Sequence, residues 1–173
     1  DYAHTPDALE VCLKNLKDQF KNRKISIVFG CGGGRDKSKR SMMGKIANDH
    51  CEKIYLTDDN PRNEIPNKIR SSIKVKINKS KIFEIPSREK AIKNAIKYLK
   101  TGEILVVAGK GHENKQDYGK SKIFFSDRNC ILQNIKIKNR NLSNDPKLNI
   151  LKEHAGITNL KINNKTRVKI KDG

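Results

Sequence analysis

Hydrophobic positions along this chain take two forms, short unbroken apolar runs and apolar residues spaced three or four apart, and the two forms alternate. Thr5 precedes Pro6, a pairing that caps and starts a helix, and Ala8, Leu9, Cys12, Leu13, Leu16 and Phe20 follow at helical spacing to about position 21. A β-branched run over 25–29 predicts a buried strand emptying into Gly30, Gly32, Gly33 and Gly34. Met42, Met43, Ile46 and Ala47 mark a second helix, 53–57 a second strand, and about 66–73 a third helix. A short strand follows at 82–85. Ser87 caps a helix carrying Ala91, Ile92, Ala95, Ile96 and Leu99, Gly102 ends it, and 104–108 is the most apolar strand.

This alternation predicts an α/β fold, a Rossmann-like, doubly wound and mostly parallel sheet with its binding loops at the carboxyl ends of the strands. Beyond it, 116–118 and 123–125 flank Gly119 as an antiparallel hairpin, and a last helix runs from 127 to about 135. From 136 to 146 the apolar pattern lapses into Asn, Lys and Arg, which is linker composition. The expected division is a domain over 1–136, a linker over 137–147 and a tail over 148–173.

Composition narrows this picture. A chain of 173 residues, 35% hydrophobic and without Trp, supports one core built mainly from Ile, Leu and Val. The 38 Lys and Arg against 19 Asp and Glu give a net charge of +19, which raises nucleic acid as a partner. The lysines are scattered through every segment, however, a pattern that suits a lysine-biased proteome at least as well as a polyanion site, and anionic small-molecule substrates rank above nucleic acid. Cys12, Cys31, Cys51 and Cys130 form no CxxC pair, and no apolar run approaches the roughly 18 residues of a membrane span. The expectation is reduced cysteines in the cytoplasm and no membrane partner, in a chain whose opening on Asp1 and Tyr2 without Met reads as a lost beginning.

Three strand ends carry the unusual residues. The loop from Gly30 to Arg40 resembles a phosphate cradle but fails as a P-loop, with Cys31 and Asp36 where glycines belong, and as a dinucleotide fingerprint, with Arg35 at the last glycine. It is either an anion-friendly turn bearing Arg35, Lys37, Lys39 and Arg40 or a plain surface turn. Asp58, Asp59, Asn60, Pro61 and Arg62 place carboxylates, an amide and a guanidinium together, as a clamp for a ligand with ammonium and carboxylate groups or as a solvated turn with an Asp–Arg pair. Gly109, Lys110, Gly111, His112 and Glu113 end the strongest strand, where glycines admit a ligand and Glu113 can accept an ammonium. His112 alone decides little among a general base, a metal ligand and a structural hydrogen-bonder; with no second His at ligand spacing the metal reading is disfavoured and no metal site is assigned. His50 and His154 stand as surface residues.

These segments, preceded by Asp1-Tyr2-Ala3-His4-Thr5-Pro6 and followed by Phe125-Ser126-Asp127-Arg128, resemble in order and spacing the C-terminal domain of Mur ligases, in the branch that adds meso-diaminopimelate. The likeness covers 1 to about 135. It implies an ATP-dependent amide ligase of peptidoglycan synthesis. In that family ATP converts the D-glutamyl carboxylate of UDP-MurNAc-L-Ala-D-Glu to an acyl phosphate, and this domain presents the attacking amine. By the resemblance, Arg35, Asp59, Asn60, Arg62, Gly109 and Glu113 hold diaminopimelate, with Arg35 and Arg62 on carboxylates and Glu113 toward an amine. Asp1, Tyr2 and His4 border ATP. Gly34 departs from a usual acidic residue and Ser41 from a usual proline.

No GxxxxGK[ST] motif occurs in this sequence. ATP, Mg2+ and the UDP moiety are therefore expected to bind mainly to residues outside the chain, and the chain alone is expected to lack ligase activity. The tail is expected to be either the opening of a fused next ligase, the one that adds D-alanyl-D-alanine, or a disordered extension. The competing function is a basic α/β nucleic-acid-binding module, which salt-dependent binding would reveal.

Overall fold

A computed structural model describes residues 1–141 and the short segments 149–152, 157–161 and 169–170. Helix α1 (Pro6–Gln19) starts where the Thr5 hydroxyl accepts from the Ala8 N–H at 3.3 Å, with Pro6 in the first turn and Asp7 beside the positive helix end. It buries Leu9, Cys12, Leu13 and Leu16 along one stripe. Strand β1 (Ile25–Phe29) follows and is buried along its whole length.

Helix α2 (Ser38–His50), strand β2 (Lys53–Leu56), helix α3 (Pro66–Lys74), strand β3 (Ile82–Glu84), helix α4 (Arg88–Tyr98) and strand β4 (Ile104–Val107) complete the winding. The sheet order is β3-β2-β1-β4, and every pairing in it is parallel. Alternate residues of each strand feed opposite layers, as the two-residue period of a strand requires. Ile27, Phe29, Ile54, Leu56 and Val106 pack with α1, α2 and α3, while Val28, Tyr55, Leu105 and Val107 pack with α4 and the final helix. Burial on both faces explains why these strands read as continuous apolar runs.

The doubly wound parallel sheet expected from the sequence is thus present. After β3 the chain returns past β2 and β1 to place β4 on the far side of β1. The crevice above the carboxyl ends of β1 and β4 is the switch point where such sheets bind ligands.

Two details differ from the sequence expectation. The hairpin, β5 (Lys115–Asp117) with β6 (Lys122–Phe124), begins one residue earlier in each strand, pairing Gln116 with Ile123 about a turn at Gly119. The last helix, α5 (Asp127–Asn141), runs beyond position 135. Its extension is held by Lys138, whose ammonium donates to the Ile96 carbonyl at 2.6 Å and to that of Leu99 at the end of α4. The expected linker over 137–147 therefore begins as helix, and its remainder from 142 lies outside the described residues, as does much of the tail. Strands β7 (Asn149–Lys152), β8 (Ile157–Lys161) and β9 (Lys169–Ile170) pair antiparallel.

Candidate functional site

The loops after β1, β2 and β4 meet around a cavity of about 300 Å³. Its lining includes Arg35, Asp59, Asn60, Arg62, Gly109 and Glu113, together with Tyr2 and His4. Every residue singled out from the sequence as substrate-binding is thus brought to one place, from positions up to 78 apart by number (113 − 35).

The glycines admit this convergence. At Gly33 a Cβ would stand 1.9 Å from the Pro61 carbonyl oxygen, so the glycine loop and the clamp segment pack backbone to backbone. Gly109 has φ +110°, and a Cβ there would meet Asp59 Oδ2 at 2.7 Å. Two arginines flank Gly32: a Cβ on it would lie 2.9 Å from Arg62 Nη1 and 3.7 Å from Arg35 Cγ. Arg35 is exposed and has no hydrogen-bond or ion-pair partner among the described residues. Arg62 sits at φ +52°, its N–H donates to the Asp117 carbonyl at 2.9 Å, and Nη1 donates to the Gly33 carbonyl at 2.8 Å. Its other guanidinium donors have no hydrogen-bond partner among the described residues.

The acidic residues divide by role. Asp58 turns away from the cavity to pair with Arg70 on α3, which also donates to Glu84 at 2.9 Å. Asp59 is buried, 4.0 Å from Arg88 Nη1; burial pushes its carboxyl pKa up, and Arg88 and Lys110 oppose that shift. Glu113 is partly exposed, and both of its hydrogen bonds fall on Oε2, from Lys110 Nζ and Asn60 Nδ2 at 2.9 Å each. Burial raises the Glu113 carboxyl pKa, but the bonds from Lys110 and Asn60 outweigh it and hold the group below its ordinary value.

Residues 1–4 cross the turn at 109–112. The Asp1 carbonyl accepts from the N–H groups of Gly109 and Gly111 at 3.0 and 3.2 Å. Tyr2 stacks on His112 with ring centroids 5.6 Å apart and meets the His4 ring edge-on at 4.7 Å. Tyr2 and His4 reach the cavity wall; Asp1 supports the turn from behind without lining the cavity.

Four charged residues hold this geometry, of which only Arg40 carried a candidate role from the sequence, as one cation of the anion-friendly turn. Arg40 is buried and grips Glu64 with both terminal nitrogens, at 3.0 and 2.9 Å, while Glu64 also accepts from the Gly34 N–H at 2.7 Å. Those bonds pull the Glu64 carboxyl down to about 2. Arg88 is buried at the start of α4, bound to Asp127 at 2.8 and 2.7 Å and donating to the Ala108 carbonyl at 2.9 Å. Lys110 is fully buried. The available signal was the placement of Arg88 and Arg40 in the first turns of helices, where a cation opposes the helix dipole and needs a specific anion.

Residues 1–111 match the family model described as Mur ligase, glutamate ligase domain. The chain is 52% identical over 138 residues to a protein of Rickettsia rickettsii named UDP-N-acetylmuramoyl-L-alanyl-D-glutamate--2,6-diaminopimelate ligase, covering 79% of this chain and 29% of that one. It is likewise 52% identical over 129 residues to the protein of the same name from Wigglesworthia glossinidia brevipalpis, covering 74% and 26%. A solved structure of a ligase with that name superimposes with a TM-score of 0.74 at 42% identity, over 80% of this chain and 28% of that one. The chain spans less than a third of the length of these relatives. With the matched model covering most of the sheet and the cavity, the chain belongs to the Mur ligase family and comprises its glutamate ligase domain.

Proposed function

We propose that this chain is the amino-acid-delivering domain of an ATP-dependent amide ligase that adds meso-diaminopimelate to UDP-MurNAc-L-Ala-D-Glu in peptidoglycan synthesis, acting in the cytoplasm. The observation that carries the reading is the pairing, within one cavity, of Arg35 and Arg62 with free guanidinium donors and Glu113 with an unpartnered carboxylate oxygen. Guanidinium groups recognise carboxylates through paired, planar hydrogen bonds, and a carboxylate recognises an ammonium. Diaminopimelate offers carboxylate and ammonium groups at both ends. Lysine has no distal carboxylate, so one arginine would face nothing. The names of the relatives support the same substrates.

In this reading Arg35 and Arg62 bind the carboxylates and Glu113 an ammonium, while Asp59, Asn60 and Gly109 shape the wall. Tyr2 and His4 border ATP, with Asp1 fixing their segment. ATP and Mg2+, held mainly by residues outside this chain, would supply the activation of the acceptor carboxylate. Among the described residues no three His, Cys, Asp or Glu side chains cluster to hold a metal ion. The contribution of this domain is to orient the amine, which lowers the barrier by positioning.

The test is amino-acid selection by the full-length ligase carrying this domain. Amide formation with diaminopimelate and at least about a hundredfold lower kcat/KM with lysine is expected, from the loss of one charge-assisted bidentate contact. Equal use of the two, or salt-dependent DNA binding by the domain without amino-acid selectivity, would overturn the reading.

A further inference from the structure

Lys110 raises a question of its own. Its ammonium is fully buried beside the cavity without lining it, and an unpaired buried ammonium is strongly disfavoured. An ammonium has three N–H donors. All three are used: on Glu113 Oε2 at 2.9 Å, Asn60 Oδ1 at 3.1 Å and the Lys115 carbonyl at 2.6 Å. No donor remains for a ligand.

The same accounting applies to Asn60. Its Oδ1 accepts from Lys110 and from the Asp117 N–H at 2.9 Å, and its Nδ2 donates to the same Oε2 of Glu113. Lys110 and Glu113 also share one tight turn, closed by the Glu113 N–H on the Lys110 carbonyl at 2.9 Å, preceded by Gly109 and containing Gly111, both at positive φ. Two donors from two different segments therefore converge on one oxygen of Glu113. That fixes the rotation of the carboxylate and leaves Oε1 as the oxygen without a hydrogen-bond partner among the described residues.

We infer that Lys110, with Asn60, is a positioning residue that locks Glu113 so that Oε1 faces the ammonium of the incoming amino acid. The inference rests on the assignment of Glu113 to the substrate amine. A pinned carboxylate loses no rotational freedom when the amine arrives, so preorganisation strengthens its grip on the ligand. Because Lys115 and Asp117 belong to the hairpin, the same lock ties β5 to the amino-acid site.

The test is a double-mutant cycle in the full-length ligase with Lys110→Met, Glu113→Gln and the pair, reading KM for diaminopimelate, KM for ATP and kcat. Each single change is expected to raise KM for diaminopimelate about ten- to a hundredfold, the range for losing a hydrogen bond to a charged group, with KM for ATP within about twofold. The pair is expected to match Glu113→Gln alone, since Lys110 acts through Glu113. If the two effects multiply, or if KM for ATP rises in step, Lys110 is merely structural and the inference falls. If Glu113→Gln leaves KM for diaminopimelate unchanged, the substrate assignment itself falls and takes the inference with it. Should Lys110→Met fail to fold by circular dichroism, Lys110→Gln, which keeps a donor and loses the charge, goes through the same cycle.

Discussion

Replacing Arg88 with Met tests whether the buried cation beneath the cavity holds the fold together. Arg88 is 1% exposed and Asp127 4% exposed, and they share bonds of 2.8 and 2.7 Å between the starts of α4 and α5. Methionine fills much of the arginine volume, so the principal loss is electrostatic. The change strands the Asp127 carboxylate and removes the donor to the Ala108 carbonyl at the end of β4. Breaking a buried pair by removing one partner costs about 3–5 kcal/mol. Against a domain stability of roughly 5–15 kcal/mol that is a large fraction. It corresponds to a fall of about 10–20 °C in melting temperature.

The chain has no Trp, so unfolding in urea is best followed by far-ultraviolet circular dichroism. The double variant Arg88→Met with Asp127→Leu removes the stranded Asp127 charge, leaves Asp59 as the remaining carboxylate that faced the guanidinium, and should recover part of the loss. If Arg88→Met lies within about 1 kcal/mol of the parent, or the two changes add, the pair does not carry the load assigned to it.

Three further outcomes follow from the geometry. Glu64 has its carboxyl pulled to about 2 from an ordinary 4.5, so its stabilising contribution is complete above about 4.5 and is lost as pH falls through about 2. Glu64→Gln should therefore flatten the acid limb of urea stability in that window, and an unchanged limb between about pH 4.5 and pH 2 would count against it. Lys138→Met removes the donor that α5 offers the last carbonyls of α4 and should lower the free energy of unfolding in urea by about 1–2 kcal/mol, with Lys138→Arg restoring part of it. Arg62→Lys keeps the charge but not the planar fork, and should raise KM for diaminopimelate about tenfold in the full-length enzyme while leaving KM for ATP near the parent value.

The sheet was legible from sequence because each central strand is buried on both faces and so reads as an unbroken apolar run bounded by glycines or polar turns. The hairpin was located within one residue in each strand and no better. Lys122, Ile123 and Phe124 are all exposed, so no buried face fixes their register from the pattern alone. The end of α5 was missed because a tertiary contact decides it: Lys138 reaches carbonyls about forty residues away (138 − 96 = 42). The cavity residues were found because glycines, carboxylates and arginines at strand ends are locally conspicuous. Their supports were not, since Lys110 looks like any of many lysines until its acceptors at Asn60 and Lys115 are seen.

Arg62 holds its place at φ +52°, a left-handed conformation costing a side chain other than glycine roughly 1–2 kcal/mol. If Arg62 binds a substrate carboxylate as proposed, stability and recognition are opposed at this position. A randomised library sorted on heat resistance should drift there toward Gly and Asn, while the same library sorted on growth in cells that depend on the ligase should hold Arg. The divergence of the two selections would measure, in evolutionary currency, what this site demands of its own backbone.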